Sequence, residues 1–138
     1  MKKLLILLVV SITLILTSCN VNLFPPSSPT AISAIFKLDT ASHNLFENIK
    51  ASDNKNYYVF QSEYADLDSQ INVILVSDSS RPHNKGILVL ANDIKSLITK
   101  YENQHQSQQI LNNVEADINE DELHEKITSL ENAEQNFN

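Results

Sequence analysis

The side chains best suited to chemistry are one cysteine and four histidines, and their spacing limits what they can do. Cys19 is the only cysteine among the 138 residues, so no disulfide can form within one chain. The histidines are His43, His83, His105 and His124. None of them forms a His-x₃-His pair or an HExxH arrangement, which would place two imidazoles on one helix face. The sequence therefore predicts no metal site.

Cys19 follows an apolar segment that is typical of an export signal. Residues 1–3 are Met-Lys-Lys, and residues 4–16 contain no charged side chain. Thirteen helical residues span about 20 Å, which is shorter than the ~30 Å hydrocarbon core of a bilayer. A basic start, a short apolar run and small residues before a cleavage point indicate a secretory signal peptide rather than a spanning helix.

The four residues Leu16-Thr17-Ser18-Cys19 resemble the lipobox of bacterial lipoproteins, in which an aliphatic residue and two small residues precede a cysteine. The resemblance implies cleavage between Ser18 and Cys19, a diacylglycerol on the Cys19 thiol and a mature chain that starts at Cys19. Each buried CH₂ of an acyl chain contributes about 0.8 kcal/mol, so two or three chains make a durable anchor. The alternatives are an ordinary cleaved signal with a free thiol, or an uncleaved anchor helix.

The same resemblance implies a location in the bacterial cell envelope. Asn20 follows the cysteine, where aspartate tends to retain lipoproteins in the inner membrane of enteric Gram-negative bacteria. The outer membrane is therefore favoured in a Gram-negative host, and the outer face of the cell membrane otherwise.

The charge balance excludes two classes of partner. Removing residues 1–18 takes Lys2 and Lys3 with it, so the remaining chain has 8 basic and 17 acidic residues and a net charge of −9. Nucleic acid and anionic lipid both require clustered Lys and Arg. We therefore expect no nucleic-acid partner, and we expect the covalent lipid to hold the protein at the membrane.

The composition predicts an all-α fold, because Gly86 is the only glycine and a β protein of this size needs more for its turns. Residues 19–29 combine the lipidated cysteine with a Pro/Ser tether. We predict that residues 30–113 form a three-helix bundle, with helices near 29–50, 53–79 and 85–112. The clearest pattern lies in the second helix, where apolar residues recur at alternating steps of three and four: Tyr57, Phe60, Tyr64, Leu67, Ile71 and Ile74.

The C-terminal segment, residues 114–138, contains eight acidic residues and one lysine, Lys126. Asn119 and Glu122 fit a capping box, so we predict a short, weakly docked acidic helix near 120–134. The alternative is a disordered acidic tail.

Two further features bear on function. His43 and His105 lie near apolar stripes, and a bundle can bring such residues together around a haem or metal. Tyr58, beside Val59, is a candidate for exposed contact with a partner. The sequence contains neither a CxxCH haem motif nor a GxSxG nucleophile motif.

The sequence therefore predicts a lipid-anchored, non-catalytic helical module without a cofactor, which binds another envelope protein. The first alternative is a bundle that binds haem or another small ligand through His43 and His105. The second is an enzyme that acts on envelope polymers.

Overall fold

The computed structural model describes residues 27–82 and 84–136, which form a four-helix bundle. Connections of four or five residues make successive helices antiparallel. The first and third helices each pack against the second and the fourth, so the four helices close into a ring. The helices are α1 (Pro29–Ala51), α2 (Tyr57–Ser79), α3 (Lys85–Gln108) and α4 (Asn113–Gln135).

The predicted all-α class is confirmed, and the first three helices lie close to their predicted ranges. At the start of α1, the Ser28 side chain accepts a hydrogen bond from the Ala31 amide at 3.1 Å, and Pro29 occupies the first helical position. Helix α2 begins later than the predicted residue 53, because Asn56 caps it. Helix α3 ends before the predicted residue 112, because Gln109 adopts a left-handed conformation with φ 66°.

The second helix buries the six apolar residues of its predicted seam. The opposing helix α3 buries residues with the same three-and-four spacing, so the two seams interlock as the pattern predicts. The buried residues of α3 are Ile87, Ala91, Ile94, Ile98, Tyr101 and His105.

The predicted C-terminal helix near 120–134 is too short. Helix α4 starts at Asn113, because Asn112 and Glu115 form a capping box. The predicted capping box, Asn119 and Glu122, is therefore wrong. Asn119 instead lies buried in the middle of the helix. The fourth helix also contributes fully to the core, through Ala116, Leu123, Ile127 and Leu130. The predicted arrangement of three helices plus one weakly docked helix is therefore replaced by four helices of nearly equal length.

The two ends of the bundle are distinguished by where the chain enters. At one end, which we call the tether end, the Ser28 amide at the start of α1 donates to Glu134 near the end of α4, at 2.7 Å. At the other, the distal end, the α1–α2 and α3–α4 connections meet. There the Tyr57 amide donates to the Gln109 carbonyl at 3.0 Å, and Asn56 forms an isolated β-bridge with Ile110. Among the described helices, none is both long and apolar enough to cross a membrane.

Candidate functional site

The outer face of α4 carries exposed aliphatic side chains near the distal end. Val114 and Ile118 lie one turn apart and are 67% and 58% exposed, and Ile110 in the preceding connection is 60% exposed. The opposite face of the same helix is buried through Ala116 and Leu123. Because the core already occupies the inward face, these outward side chains lie outside the buried core of the bundle.

Tyr58, the predicted partner contact, lies at the same end. Its side chain is 68% exposed, and its amide donates to Asn56 at the start of α2. Its ring meets the Tyr57 ring edge-on, with 5.6 Å between centroids, which holds the exposed phenol against the end of the bundle. Tyr58 on α2 shares the distal end with Ile110, Val114 and Ile118, although α2 and α4 do not pack against each other. We refer to these four side chains together as the distal surface.

His105 is fully buried beneath this end of the bundle. Its Nε2 lies 2.8 Å from the Lys55 carbonyl, and its Nδ1 lies 3.3 Å from the Tyr64 hydroxyl. A carbonyl can only accept, so Nε2 carries the hydrogen, and in the neutral ring Nδ1 accepts from Tyr64. Both ring nitrogens therefore have protein partners, and the residue joins α3 to α2 and to the α1–α2 connection.

Neutral aromatic groups surround that histidine. The rings of Tyr57 and Phe60 have centroids 5.8 and 5.9 Å from the His105 ring. The Tyr57 hydroxyl donates to Glu102 at 2.8 Å, and this bond raises the pKa of Tyr57 to about 12. Burial raises the pKa of the Tyr64 hydroxyl as well. Both phenols therefore stay protonated and donate at neutral pH.

His43 lies elsewhere, exposed on α1, where its Nδ1 contacts Glu120 of α4 at 2.6 Å. His105 contacts α2 instead, so the two predicted ligands share no partner. A haem held between them needs nitrogens that face a common cavity, whereas both nitrogens of His105 are occupied within the core.

The α1–α4 seam that contains His43 is rich in ion pairs. The Lys50 ammonium contacts Glu47 at 2.6 Å, Asp117 at 2.8 Å and Glu120 at 2.9 Å. The hydrogen bonds that the Lys50 ammonium donates to Asp117, Glu47 and Glu120 raise the pKa of Lys50. Burial alone would raise the pKa of Glu120, but Lys50 and His43 outweigh it and lower that pKa. The folded state therefore favours the charged forms of both Lys50 and Glu120.

A second histidine, on α4, pairs with a carboxylate of α1 across the same seam. His124 of α4 contacts Asp39 of α1 through Nδ1 at 2.8 Å. The hydrogen bond to this carboxylate, and then its charge, raise the pKa of His124. The protonated imidazole is therefore favoured in the folded state.

The tether end contains a buried ionic cluster, Asp78, Arg81 and Glu134. Both carboxylates are fully buried, and Arg81 pairs with each of them, with 2.6 Å between its Nη1 and Glu134 Oε1. Asp78 Oδ2 and Glu134 Oε2 have no hydrogen-bond partner among the described residues. Because Glu134 also accepts from the Ser28 amide, the cluster fixes the start of α1 against α4.

Sequence reasoning missed several of these groups. Glu134 belongs to the segment predicted as an acidic helix or tail, and nothing in its local sequence indicates burial. His43 and Glu47 do carry a local signal, since residues four apart share a helix face. Their contact with Glu120, however, depends on how α1 and α4 pack. Ser18, Cys19 and His83 lie outside the described residues.

The geometry as a whole provides ion pairs and hydrogen bonds between helices, together with an aliphatic surface that faces outward. A scan against protein-family models, a search of curated proteins and a search of solved structures each found no match to this chain.

Proposed function

We propose that this chain is a lipid-anchored lipoprotein of the bacterial envelope and that its bundle is a non-catalytic module that binds another envelope protein. The observation that carries the proposal is the exposure of Val114 and Ile118 on the outer face of a helix whose other face is fully packed. Aligned aliphatic side chains of this kind are typical of a surface that a partner covers.

The distal surface has the composition of a protein-binding site. Burying apolar surface contributes roughly 25 cal/mol per Å², so covering three β-branched side chains gives a substantial favourable term. Tyr58 adds an exposed phenol, and tyrosine is enriched among the residues that dominate interface energies. Asp121 and Glu125 continue the outer face of α4 beyond Ile118, so a partner helix with both apolar and basic residues fits the surface.

The arrangement of the ends suits an anchored module. The predicted lipid attachment at Cys19 precedes Ser28 by nine residues, and Ser28 lies at the tether end. A helix of 23 residues is about 35 Å long, so the distal surface is carried away from the membrane by the length of α4.

Site-specific crosslinking tests the binding surface. A photoreactive amino acid at Val114 or Ile118 should give an adduct of defined mass in cells of the source bacterium. Val76 is the matched control, because it is 73% exposed but lies near the tether end of α2. Equal adducts at positions 76 and 114 would contradict the assignment of the surface.

The anchor has its own test. Replacing the thiol in Cys19→Ala should abolish incorporation of radiolabelled lipid and leave an unprocessed precursor. Normal processing of the variant would contradict the lipobox, whatever the crosslinking shows.

A further inference from the structure

Three metal-ligating side chains meet where α1 crosses α4. His43 and Glu47 lie four residues apart on α1, so their side chains project from one face. Glu120 reaches the same point from α4, and one ligand atom of each residue lies within 4.8 Å of the others. An imidazole nitrogen and two carboxylate oxygens form a ligand set that suits zinc and related divalent metals.

The charge around these residues favours a further cation. Glu47, Asp117 and Glu120 bring three negative charges to Lys50, which supplies one positive charge. Two negative charges remain, which is the charge that one divalent ion neutralises. Lys50 also contacts Asp117, so it keeps a carboxylate partner when a metal takes Glu47 and Glu120.

We propose that His43, Glu47 and Glu120 bind one divalent transition-metal ion, with Zn²⁺ as the representative case. The three residues supply three ligands, and the remaining coordination position faces water, because His43 and Glu47 are exposed. The ion links α1 to α4, so its binding stabilises the bundle. The sequence alone predicts no metal site, because the third ligand comes from a helix more than seventy residues away.

Binding is measured by titrating Zn²⁺ into the untagged, lipidated full-length protein in detergent, in competition with a chromophoric chelator. The proposal predicts one ion per chain and a rise in the unfolding temperature. His43→Ala and Glu120→Gln should each weaken binding at least about tenfold, since losing even an outer-shell partner of a metal ligand costs 10–100-fold. Lys50→Met should strengthen binding, because it removes the ammonium that competes for two of the ligands.

His124→Ala is the matched control. His124 is also an exposed imidazole that contacts a carboxylate across the same two helices, but it does not belong to this group of three. Its replacement should leave the affinity for Zn²⁺ unchanged. The absence of saturable binding, or an equal loss in His43→Ala and His124→Ala, overturns the proposal. Either result leaves the proposed binding of a protein partner untouched, because that proposal concerns another face of α4.

Discussion

The buried polar contacts at the two ends of the bundle use different chemistry. At the tether end, Asp78, Arg81 and Glu134 place buried charges between α2 and α4. At the distal end, the buried His105 ring contacts the Tyr64 hydroxyl and the Lys55 carbonyl within an aromatic cluster. The first arrangement depends on its cation, because removing one partner of a buried ion pair leaves an uncompensated buried charge and is strongly destabilising. The second depends on packing and on hydrogen bonds of ordinary strength.

This difference matches the roles that we propose for the two ends. The cluster at the tether end also bonds to the Ser28 amide, so it fixes the start of α1, which the proposed anchor precedes. At the distal end the buried polar contacts are those of His105, and Tyr58 and Ile110 are exposed on the outside. Buried charges therefore fix the start of α1 at one end, whereas the end for which we propose contact with a partner has a buried histidine within an aromatic cluster.

The largest expected effect comes from breaking the charged end. Arg81→Met leaves two buried carboxylates without their cation and should lower the free energy of unfolding by about 3–5 kcal/mol. The measurement is urea denaturation at neutral pH. Lys100→Met is the control, since Lys100 also links two helices, but through a 3.5 Å pair with Glu122 that faces solvent. That variant should change stability by less than about 1 kcal/mol, and equal losses in the two variants would contradict the comparison.

A smaller loss is expected at the neutral end. His105→Leu keeps the packing volume but leaves the Tyr64 hydroxyl and the Lys55 carbonyl without their partner. The expected cost is about 1–3 kcal/mol in total, because the Tyr64 hydroxyl is left unsatisfied in the core whereas the Lys55 carbonyl is only partly buried; it is measured by the same denaturation. Tyr64→Phe removes one of the two hydrogen bonds and should cost less. A loss in His105→Leu that exceeds the loss in Arg81→Met would reverse our ranking of the two ends.

The pH dependence of stability sharpens the comparison at the α1–α4 seam. Asp39 raises the pKa of His124 in the folded state above the ordinary value of 6.5. The stabilisation is therefore fully present below about pH 6.5 and is lost as pH rises through the raised folded pKa. Because the pair is mostly exposed to solvent, its contribution is a few tenths of a kcal/mol.

Unfolding at pH 5.5 and pH 9 should show this effect. His124→Gln should be less stable than the wild type at the lower pH and nearly equal to it at the higher pH. A stability difference that is the same at both pH values would show that the His124–Asp39 pair does not contribute as a charged pair.

The smallest effect on stability is expected on the distal surface. Val114→Ser and Ile118→Ser replace exposed side chains that lie outside the buried core, so the free energy of unfolding should change by less than about 0.5 kcal/mol. A large loss of stability in either variant would mean that these residues belong to the core rather than to a binding surface.

The helical class and most of the core could be predicted from the sequence, because periodic spacing records which face of a helix is buried. The seam of α2 is the clearest case, since Phe60, Leu67 and Ile74 are all buried as predicted. The predicted start of α4 was wrong for a local reason. Asn112/Glu115 and Asn119/Glu122 both have the spacing of a capping box. The first pair forms the box and lies before the dense acidic run, whereas the predicted pair lies at that run.

Contacts between helices could not be predicted in the same way. His105 reads as a residue near an apolar stripe, but its partners, Tyr64 and Lys55, lie more than forty positions away. Glu134 is buried where it pairs with Arg81, and Arg81 lies in the connection between α2 and α3. Such pairings depend on which helices are neighbours in the bundle, and a single sequence does not record that arrangement.

The central claim is that the protein binds its partner through the distal surface. The direct test is to capture the native lipidated protein from detergent-solubilised envelopes and to quantify the proteins that co-purify, for three chains. These are the wild type, the variant Val114→Glu with Ile118→Glu, and the control variant Val73→Glu with Val76→Glu near the tether end. We predict that a specific partner is retained by the wild type and the control and lost from the distal variant. Retention by the distal variant, or equal loss from both variants, would contradict the account.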